Sequence, residues 1–180
     1  MFKAHTVQTA PGKSARVIEA VEKKMGFVPN LFAYLAESPA AIQAYVQLDA
    51  LLAESELTPQ EVQLILLTTS VTNRCNFCVA AHSAGGTKAG LDKDTIAAVR
   101  REDSPSGARD AALITFVRKV VNERGWVGEE DVQAFLQAGF SKANVFDVIT
   151  AVSLKTLSNY SNHLAHPELN EQLEPFAWEK

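Results

Sequence analysis

Cysteine is scarce in this sequence, with only two among 180 residues, and long apolar runs are missing. No run reaches the roughly 18 residues that a membrane-spanning helix requires, so a membrane is not an expected partner. Residues 1–5 lack the apolar core of a signal peptide, and we therefore expect a cytoplasmic protein. In a reducing compartment, a lone pair of cysteines is more often catalytic or metal-binding than a structural disulfide.

An excess of basic residues is missing as well. Lysine and arginine number 17 against 21 aspartates and glutamates, which gives a formal net charge of −4. A general nucleic-acid-binding protein usually carries a basic excess, so nucleic acid is not an expected partner either. A chain of 180 residues, 47% of them hydrophobic, is long enough for one well-filled core and short for two. We expect a single domain over residues 1–180.

The chain lacks the alternating pattern of β-strands, and its apolar residues follow helical spacing instead. Ser38 precedes Pro39 as a helix N-cap, and Thr58 and Glu61 have the spacing of a capping box. No linker is long enough to separate two domains. The sequence predicts an all-α single domain of about eight or nine helices, of which we place eight at 14–25, 38–53, 58–73, 75–88, 91–101, 108–123, 128–137 and 141–164.

The segment 73–82 carries the clearest chemical signal. It holds both cysteines, Cys75 and Cys78, in C-x-x-C spacing, and His82 follows four residues later. If this segment is helical, Cys78 and His82 lie one turn apart on one face, with Cys75 near the same face. The cysteines then sit at the N-terminus of a central helix, where free N–H groups and the helix dipole favour a thiolate.

Several kinds of site fit these three residues. A free thiol titrates near ~8.5, so a reactive cysteine needs help to ionise, and His82 can take the proton of Cys78. In a thiol redox enzyme we therefore predict that Cys78 is the attacking sulfur and Cys75 the resolving one. A zinc site is an alternative, but it needs a fourth ligand such as His163 or His166. A decayed site, kept only for packing or subunit contacts, is a further alternative.

The pattern L-T-P-x-E at 57–61, an apolar helix, and then N-x-C-x-x-C-x-x-x-H at 73–82 resemble the carboxymuconolactone decarboxylase / AhpD-like superfamily. The chain is most similar to its peroxidase-related, alkylhydroperoxidase-like branch, and segments 27–30 and 159–163 share the resemblance. It implies an AhpD-like helical fold, a homo-oligomer, and antioxidant reduction of hydroperoxides without metal, haem or other cofactor. The lactone chemistry of the decarboxylases is not expected, because that branch generally lacks the cysteine pair.

The resemblance also implies roles for the three residues. In the family mechanism the second cysteine attacks the peroxide, the first forms a disulfide with it, and the histidine removes the thiol proton. These roles fall on Cys78, Cys75 and His82. The best-known members add a glutamate on the preceding helix, where this chain has Gln63, and a glutamine cannot accept the proton. Glu61 is nearby but is explained by the capping box.

Three hypotheses for the function therefore remain. The leading hypothesis is a thiol peroxidase that forms a Cys75–Cys78 disulfide and is reset by an external dithiol. The second is a disulfide oxidoreductase that acts on protein or lipoyl-type dithiols, and the third is a non-catalytic oligomeric or zinc-binding protein. At this stage the roles of Gln63 and Glu61 in a proton relay, and of Asn162 and His163 in lining the site, stay open.

Overall fold

The computed structural model describes residues 1–179, in which regular structure is entirely helical. The elements are α1 (Gly12–Met25), α2 (Asn30–Leu35), α3 (Pro39–Leu52), α4 (Pro59–Thr72), α5 (Asn76–Ala89), α6 (Lys93–Arg100), α7 (Ala108–Asn122), α8 (Glu129–Gln137), α9 (Lys142–Ala165) and a 3₁₀ helix (Glu171–Phe176). The all-α prediction is confirmed. Within residues 1–179, none of these helices is both long and apolar enough to cross a lipid bilayer.

Two predicted helix starts have the expected hydrogen bonds. The hydroxyl of Ser38 accepts from the backbone N–H of Ala41 at 3.2 Å. Thr58 Oγ1 accepts from the backbone N–H of Glu61 at 3.2 Å, and Glu61 Oε2 accepts in return from the Thr58 N–H at 2.8 Å. Both caps satisfy N–H groups that have no partner inside the helix, which is why α3 and α4 begin where the sequence indicates.

Two short helical segments lie outside the eight placed by sequence. Helix α2 has six residues, too few for a helical period to stand out, and its Pro29 N-cap makes no side-chain hydrogen bond. It forms because its apolar residues pack into the core, where Leu31, Ala33 and Leu35 are all buried. The 3₁₀ helix contains Pro175, and because proline usually interrupts a helix, the sequence did not predict one there.

Helix α4 forms the centre of the core. Every residue from 64 to 71 is buried, because α5, α7, α9 and α6 surround the helix. A helix that is enclosed all round has no amphipathic stripe, consistent with its apolar run. Helix α9, with 24 residues, packs against α3 and α4 and also reaches α5. The first turn of α5 therefore lies inside the bundle and not at its surface.

Glu61 forms an ion pair that links α4 to Arg109 of α7. Its Oε1 accepts from Arg109 Nε at 2.7 Å, and the Arg109 guanidinium lies 3.8 Å from the centroid of the Phe140 ring. Burial raises the pKa of this carboxyl group, but hydrogen bonds from Thr58 and Arg109 outweigh it and hold the pKa below its ordinary value. Glu61 thus has a full set of structural partners.

Replacing Thr58 with alanine is expected to lower the free energy of unfolding by about 1–2 kcal/mol, because α4 loses its N-cap oxygen. Urea denaturation measures this change. Thr115→Ala on α7 is the matched control, since Thr115 is exposed and bonds only the Ala111 carbonyl of its own helix. The control should change stability by less than ~0.5 kcal/mol. Equal losses in the two variants would contradict a capping role.

Candidate active site

A tight turn between α4 and α5 positions the cysteine pair. Arg74 adopts φ 55°, its N–H donates to the Val71 carbonyl at 2.9 Å, and the Cys75 N–H donates to the Ser70 carbonyl at 3.0 Å. This helix-ending geometry usually uses glycine, and a side chain there costs about 1–2 kcal/mol. The turn makes Cys75 the N-cap of α5 and puts Cys78 in its first turn. The predicted location of the C-x-x-C motif is confirmed.

Both sulfur atoms are buried and share one hydrogen-bond donor. Cys75 and Cys78 are 2% and 1% exposed, and both are free thiols. The side-chain amide of Asn162, on α9, donates to Cys78 Sγ at 3.2 Å and to Cys75 Sγ at 3.7 Å. Asn162 thus lines the site, whereas His163 is exposed and stacks on Tyr160 with ring centroids 6.2 Å apart.

The surroundings give the two sulfurs opposite protonation states. Burial raises the pKa of Cys78, but the hydrogen bond from the Cys75 thiol, the charge of Lys155 and the amide of Asn159 lower it to about 5. The pKa of Cys75 is raised, first by its hydrogen bond to Cys78 and then by burial. At neutral pH, Cys78 is therefore a thiolate and Cys75 a thiol that donates to it.

Helix α9 supplies polar groups that the sequence reading did not select. Lys155 and Asn159 are fully buried, and they precede Asn162 at helical spacing on one face. Asn159 Oδ1 accepts from Asn73 Nδ2 at 3.0 Å. Within residues 1–179, Lys155 Nζ and Asn159 Nδ2 have no partner at hydrogen-bond geometry. The available signal was a lysine and two asparagines at i, i+4 and i+7 on a long helix.

Helix α3 contributes Tyr45, which the sequence reading also missed. Its side chain is buried, and its pKa is raised by burial and then by the negative charges of Cys78 and Asp49. The phenol is therefore neutral at physiological pH. Within residues 1–179, no hydrogen bond joins its hydroxyl to another residue.

His82 contacts Gln63 and neither sulfur. Its Nδ1 lies 3.0 Å from Gln63 Oε1, and within residues 1–179 no hydrogen bond joins its ring to Cys75 or Cys78. With an amide oxygen facing Nδ1, that nitrogen carries the proton and Nε2 keeps its lone pair. Burial and then the charge of Lys155 lower the pKa of His82 well below its ordinary value, so the ring is neutral at pH 7.

Gly85 makes room for this contact. A Cβ atom at Gly85 would lie 2.5 Å from Gln63 Oε1, closer than non-bonded atoms approach. The missing side chain lets Gln63 cross from α4 to His82 on α5. Gln63 thus takes the position next to the histidine that the sequence analysis considered for it, while Glu61 is held by Thr58 and Arg109.

The zinc alternative has no ligand set in the described part of the chain. Among residues 1–179, no group of three or more histidine, cysteine, aspartate or glutamate side chains has an arrangement that could hold a metal ion. His163, considered as a fourth ligand, is exposed and stacks on Tyr160.

The fold recurs in several solved structures. The AhpD-core, peroxidase-related protein of Ralstonia eutropha JMP134 has 26% identity and a TM-score of 0.86, covering 96% of this chain and 93% of that one. A peroxidase-related protein of Silicibacter sp. TM1040 has 23% identity and a TM-score of 0.78, with 91% and 87% covered. The debrominase Bmp8, solved with 2,3,4-tribromopyrrole, has 13% identity and a TM-score of 0.81, with 98% and 95% covered. Curated protein sequences give no significant match.

Residues 39–123 match the model of the carboxymuconolactone decarboxylase family. This range runs from α3 to just past α7 and includes the whole cysteine turn. The match covers a little under half of the chain and, together with the AhpD-core neighbours, supports the resemblance to the carboxymuconolactone decarboxylase / AhpD-like superfamily that the motif predicted. The debrominase among these neighbours is an enzyme built on the same fold.

Replacing Gly85 with alanine is expected to push the flexible Gln63 side chain away from His82. Because alanine favours a helix over glycine by about 1 kcal/mol, the net loss of stability should stay below ~1 kcal/mol. Thermal denaturation and the ¹⁵N shift of His82 Nδ1 measure the two effects. In a Gln63→Ala background the clash partner is gone, so Gly85→Ala should cost much less.

Gly12→Ala is the matched control for that series, because a Cβ atom at Gly12 meets nothing within 4 Å. It should leave the His82 shift unchanged. An unchanged His82 shift in Gly85→Ala, or an equal stability loss with and without Gln63, would show that Gly85 does not serve this contact.

Proposed function

We propose that this protein is a thiol peroxidase that reduces hydroperoxides through a dithiol–disulfide cycle of Cys78 and Cys75. The observation that carries the proposal is that two adjacent buried sulfurs have pKa values shifted in opposite directions. Cys78, with its pKa lowered to about 5, is the nucleophilic thiolate, and Cys75, with its pKa raised, stays a thiol that can resolve the oxidised sulfur. This division matches the roles that the family resemblance implies.

The reaction proceeds in two steps. The Cys78 thiolate attacks the terminal oxygen of the hydroperoxide, an S–O bond forms, the O–O bond breaks, and the alkoxide leaves and takes up a proton. Cys75 sulfur then attacks the Cys78 sulfenic acid, an S–S bond forms, and water leaves. Two thiols are oxidised while the hydroperoxide is reduced to an alcohol and water. An external dithiol resets the disulfide by thiol–disulfide exchange.

His82 is assigned to proton transfer in this cycle. It lies one turn after Cys78 on α5, is only partly buried, and keeps a lone pair on Nε2 when Nδ1 faces Gln63. We assign it the transfer of protons between the buried sulfur and the solvent, outward when the thiol ionises and inward when the alkoxide leaves. Gln63 orients the ring but cannot store the proton.

Burial of the sulfurs favours a small substrate. With 2% and 1% of the two cysteines exposed, a disulfide on a folded protein could not reach either sulfur without local opening of the helices. One surface cavity of about 210 Å³ is lined by residues of α7 and α8. Another, of about 450 Å³, is lined by residues of α5, α6 and the 3₁₀ helix. Neither cavity is lined by a cysteine. The burial supports a small hydroperoxide over a protein disulfide as the oxidising substrate.

A homo-oligomer, a cytoplasmic location and an external dithiol reductant complete the proposal. The support for an oligomer is an exposed apolar stripe on α9, where Phe146, Tyr160 and Leu164 are 71%, 57% and 71% exposed. Large apolar side chains at such spacing on one helix are typical of a subunit contact.

Single-turnover oxidation tests the reaction. Reduced protein is mixed with one equivalent of cumene hydroperoxide, quenched in denaturant with N-ethylmaleimide, and weighed by intact mass spectrometry. The native protein is expected to lose both alkylatable thiols within the mixing time. Cys78→Ser should keep Cys75 alkylatable, and Cys75→Ser should accumulate a Cys78 sulfenic acid that dimedone traps.

Other results would select the alternatives. If both thiols stay alkylatable with peroxide but are oxidised rapidly by lipoamide disulfide, the protein is a disulfide oxidoreductase. If they resist both oxidants, the non-catalytic alternative holds. Full peroxide turnover in Cys78→Ser would overturn the assignment of the attacking sulfur.

A further inference from the structure

A buried lysine near the cysteine pair has no role in the family mechanism. Lys155 is fully buried in α9, and its Nζ has no partner at hydrogen-bond geometry among residues 1–179. In the same part of the chain, no carboxylate lies within ion-pair distance of this nitrogen. A charged ammonium is rarely buried without a counter-ion, because removing it from water costs a large free energy.

Helical spacing directs this lysine toward the sulfurs. Residues 155, 159 and 162 share one face of α9, and Asn162 at the end of that row donates to Cys78 Sγ at 3.2 Å. Asn159, between them, also has an unpartnered amide nitrogen. The charge of Lys155 acts on both Cys78 and His82, whose pKa values it lowers. Within residues 1–179, Cys78 is therefore the buried group at the end of this row whose ionised form the charge of Lys155 favours.

The other titratable groups around Cys78 do not supply the missing positive charge. Tyr45 and Asp49 of α3 and Cys75 and His82 of α5 share electrostatic interactions with Cys78 or Lys155. On the neighbouring helices, Glu61 of α4 and Arg100 of α6 have partners of their own. Tyr45, Cys75 and His82 are neutral at pH 7, and Asp49 is an acid that attracts Lys155 from a distance. Glu61 is paired with Arg109, and Arg100 is bonded to Ser83 and two carbonyl groups.

We propose that Lys155 is a positioning residue of this site, whose buried ammonium is the counter-ion that keeps Cys78 ionised. The sequence analysis named His82 as the group that takes the proton of Cys78, but His82 is neutral and faces Gln63. An opposite charge in a low-dielectric interior is a strong means of stabilising a thiolate, and it needs no proton acceptor. Lys155 has a catalytic consequence only if Cys78 is the reacting sulfur, so the proposal rests on the proposed function.

The ionisation of Cys78 can be followed without any peroxide. In reduced Cys75→Ser protein, the thiolate absorbance at 240 nm and the rate of iodoacetamide alkylation are measured against pH. With Lys155 intact, both should rise through a midpoint well below the ~8.5 of a free thiol. In Lys155→Met the midpoint should move up by several units. At pH 7 the alkylation rate should fall at least ~30-fold, the factor for a thiol titrating near ~8.5, and recover above pH 9.

Three further variants separate the explanations. Lys88→Met removes an exposed lysine from α5 and should leave the midpoint unchanged. Lys155→Arg keeps the charge and should keep the midpoint within about one unit. His82→Gln should also leave the midpoint unchanged, because His82 is not the counter-ion. A midpoint that stays low in Lys155→Met, or one that rises only in His82→Gln, would overturn the proposal.

Stability provides a second test that does not depend on thiol reactivity. Cys78→Ser removes the anion and leaves the ammonium unpaired, so it should lower Tm more than Cys75→Ser does at pH 7. In a Lys155→Met background that difference should vanish, because neither variant then leaves an unpaired charge. A difference that persists without Lys155 would overturn the ion pair. If only the peroxide experiment fails, the ionisation and stability results still support the ion pair. The conclusion that Lys155 serves catalysis is then the only one lost.

Discussion

An ionised sulfur inside a packed helical core is the constraint on which the rest of this site depends. Burial alone would keep both cysteines protonated, since a charge in a low-dielectric interior is unfavourable. The protein offsets this with a neighbouring thiol, an amide that donates to both sulfurs, and a lysine from a helix 80 residues further along the chain. Because these groups come from α5 and α9, the thiolate exists only when the bundle is assembled.

Local signals were enough to predict the scaffold. The capping box of Thr58 and Glu61 fixes the start of α4, and the C-x-x-C motif at the start of the next helix follows from short-range chemistry. These features depend on residues within one or two turns of each other, which a sequence displays directly. Helix α2 was missed because six residues are too few to show a period, and burial against other helices decides its conformation.

The chemistry around the sulfurs depends on long-range packing, which explains why the sequence revealed only part of it. Cys75, Cys78 and His82 are within eight residues of each other and could be recognised together. Lys155 and Asn159 come close to them only through the packing of α9, and in the sequence they look like ordinary polar positions on a long helix. Gln63 was singled out by the family resemblance, but its contact with His82 also depends on the absence of a side chain at Gly85, which only the packing of α4 on α5 reveals.

The proposed pairing of Lys155 with the Cys78 thiolate has a consequence for the reduction potential of the cysteine pair. In the disulfide form both sulfurs are neutral, so the buried ammonium loses its counter-ion in that state alone. At pH 7 a thiol with a pKa of about 5, in place of one near ~8.5, favours the reduced form by ~100-fold. For a two-electron couple this raises the reduction potential by about 60 mV. The Cys75–Cys78 disulfide would then be comparatively oxidising, and its reducing partner needs only modest reducing power to return the protein to its resting dithiol state.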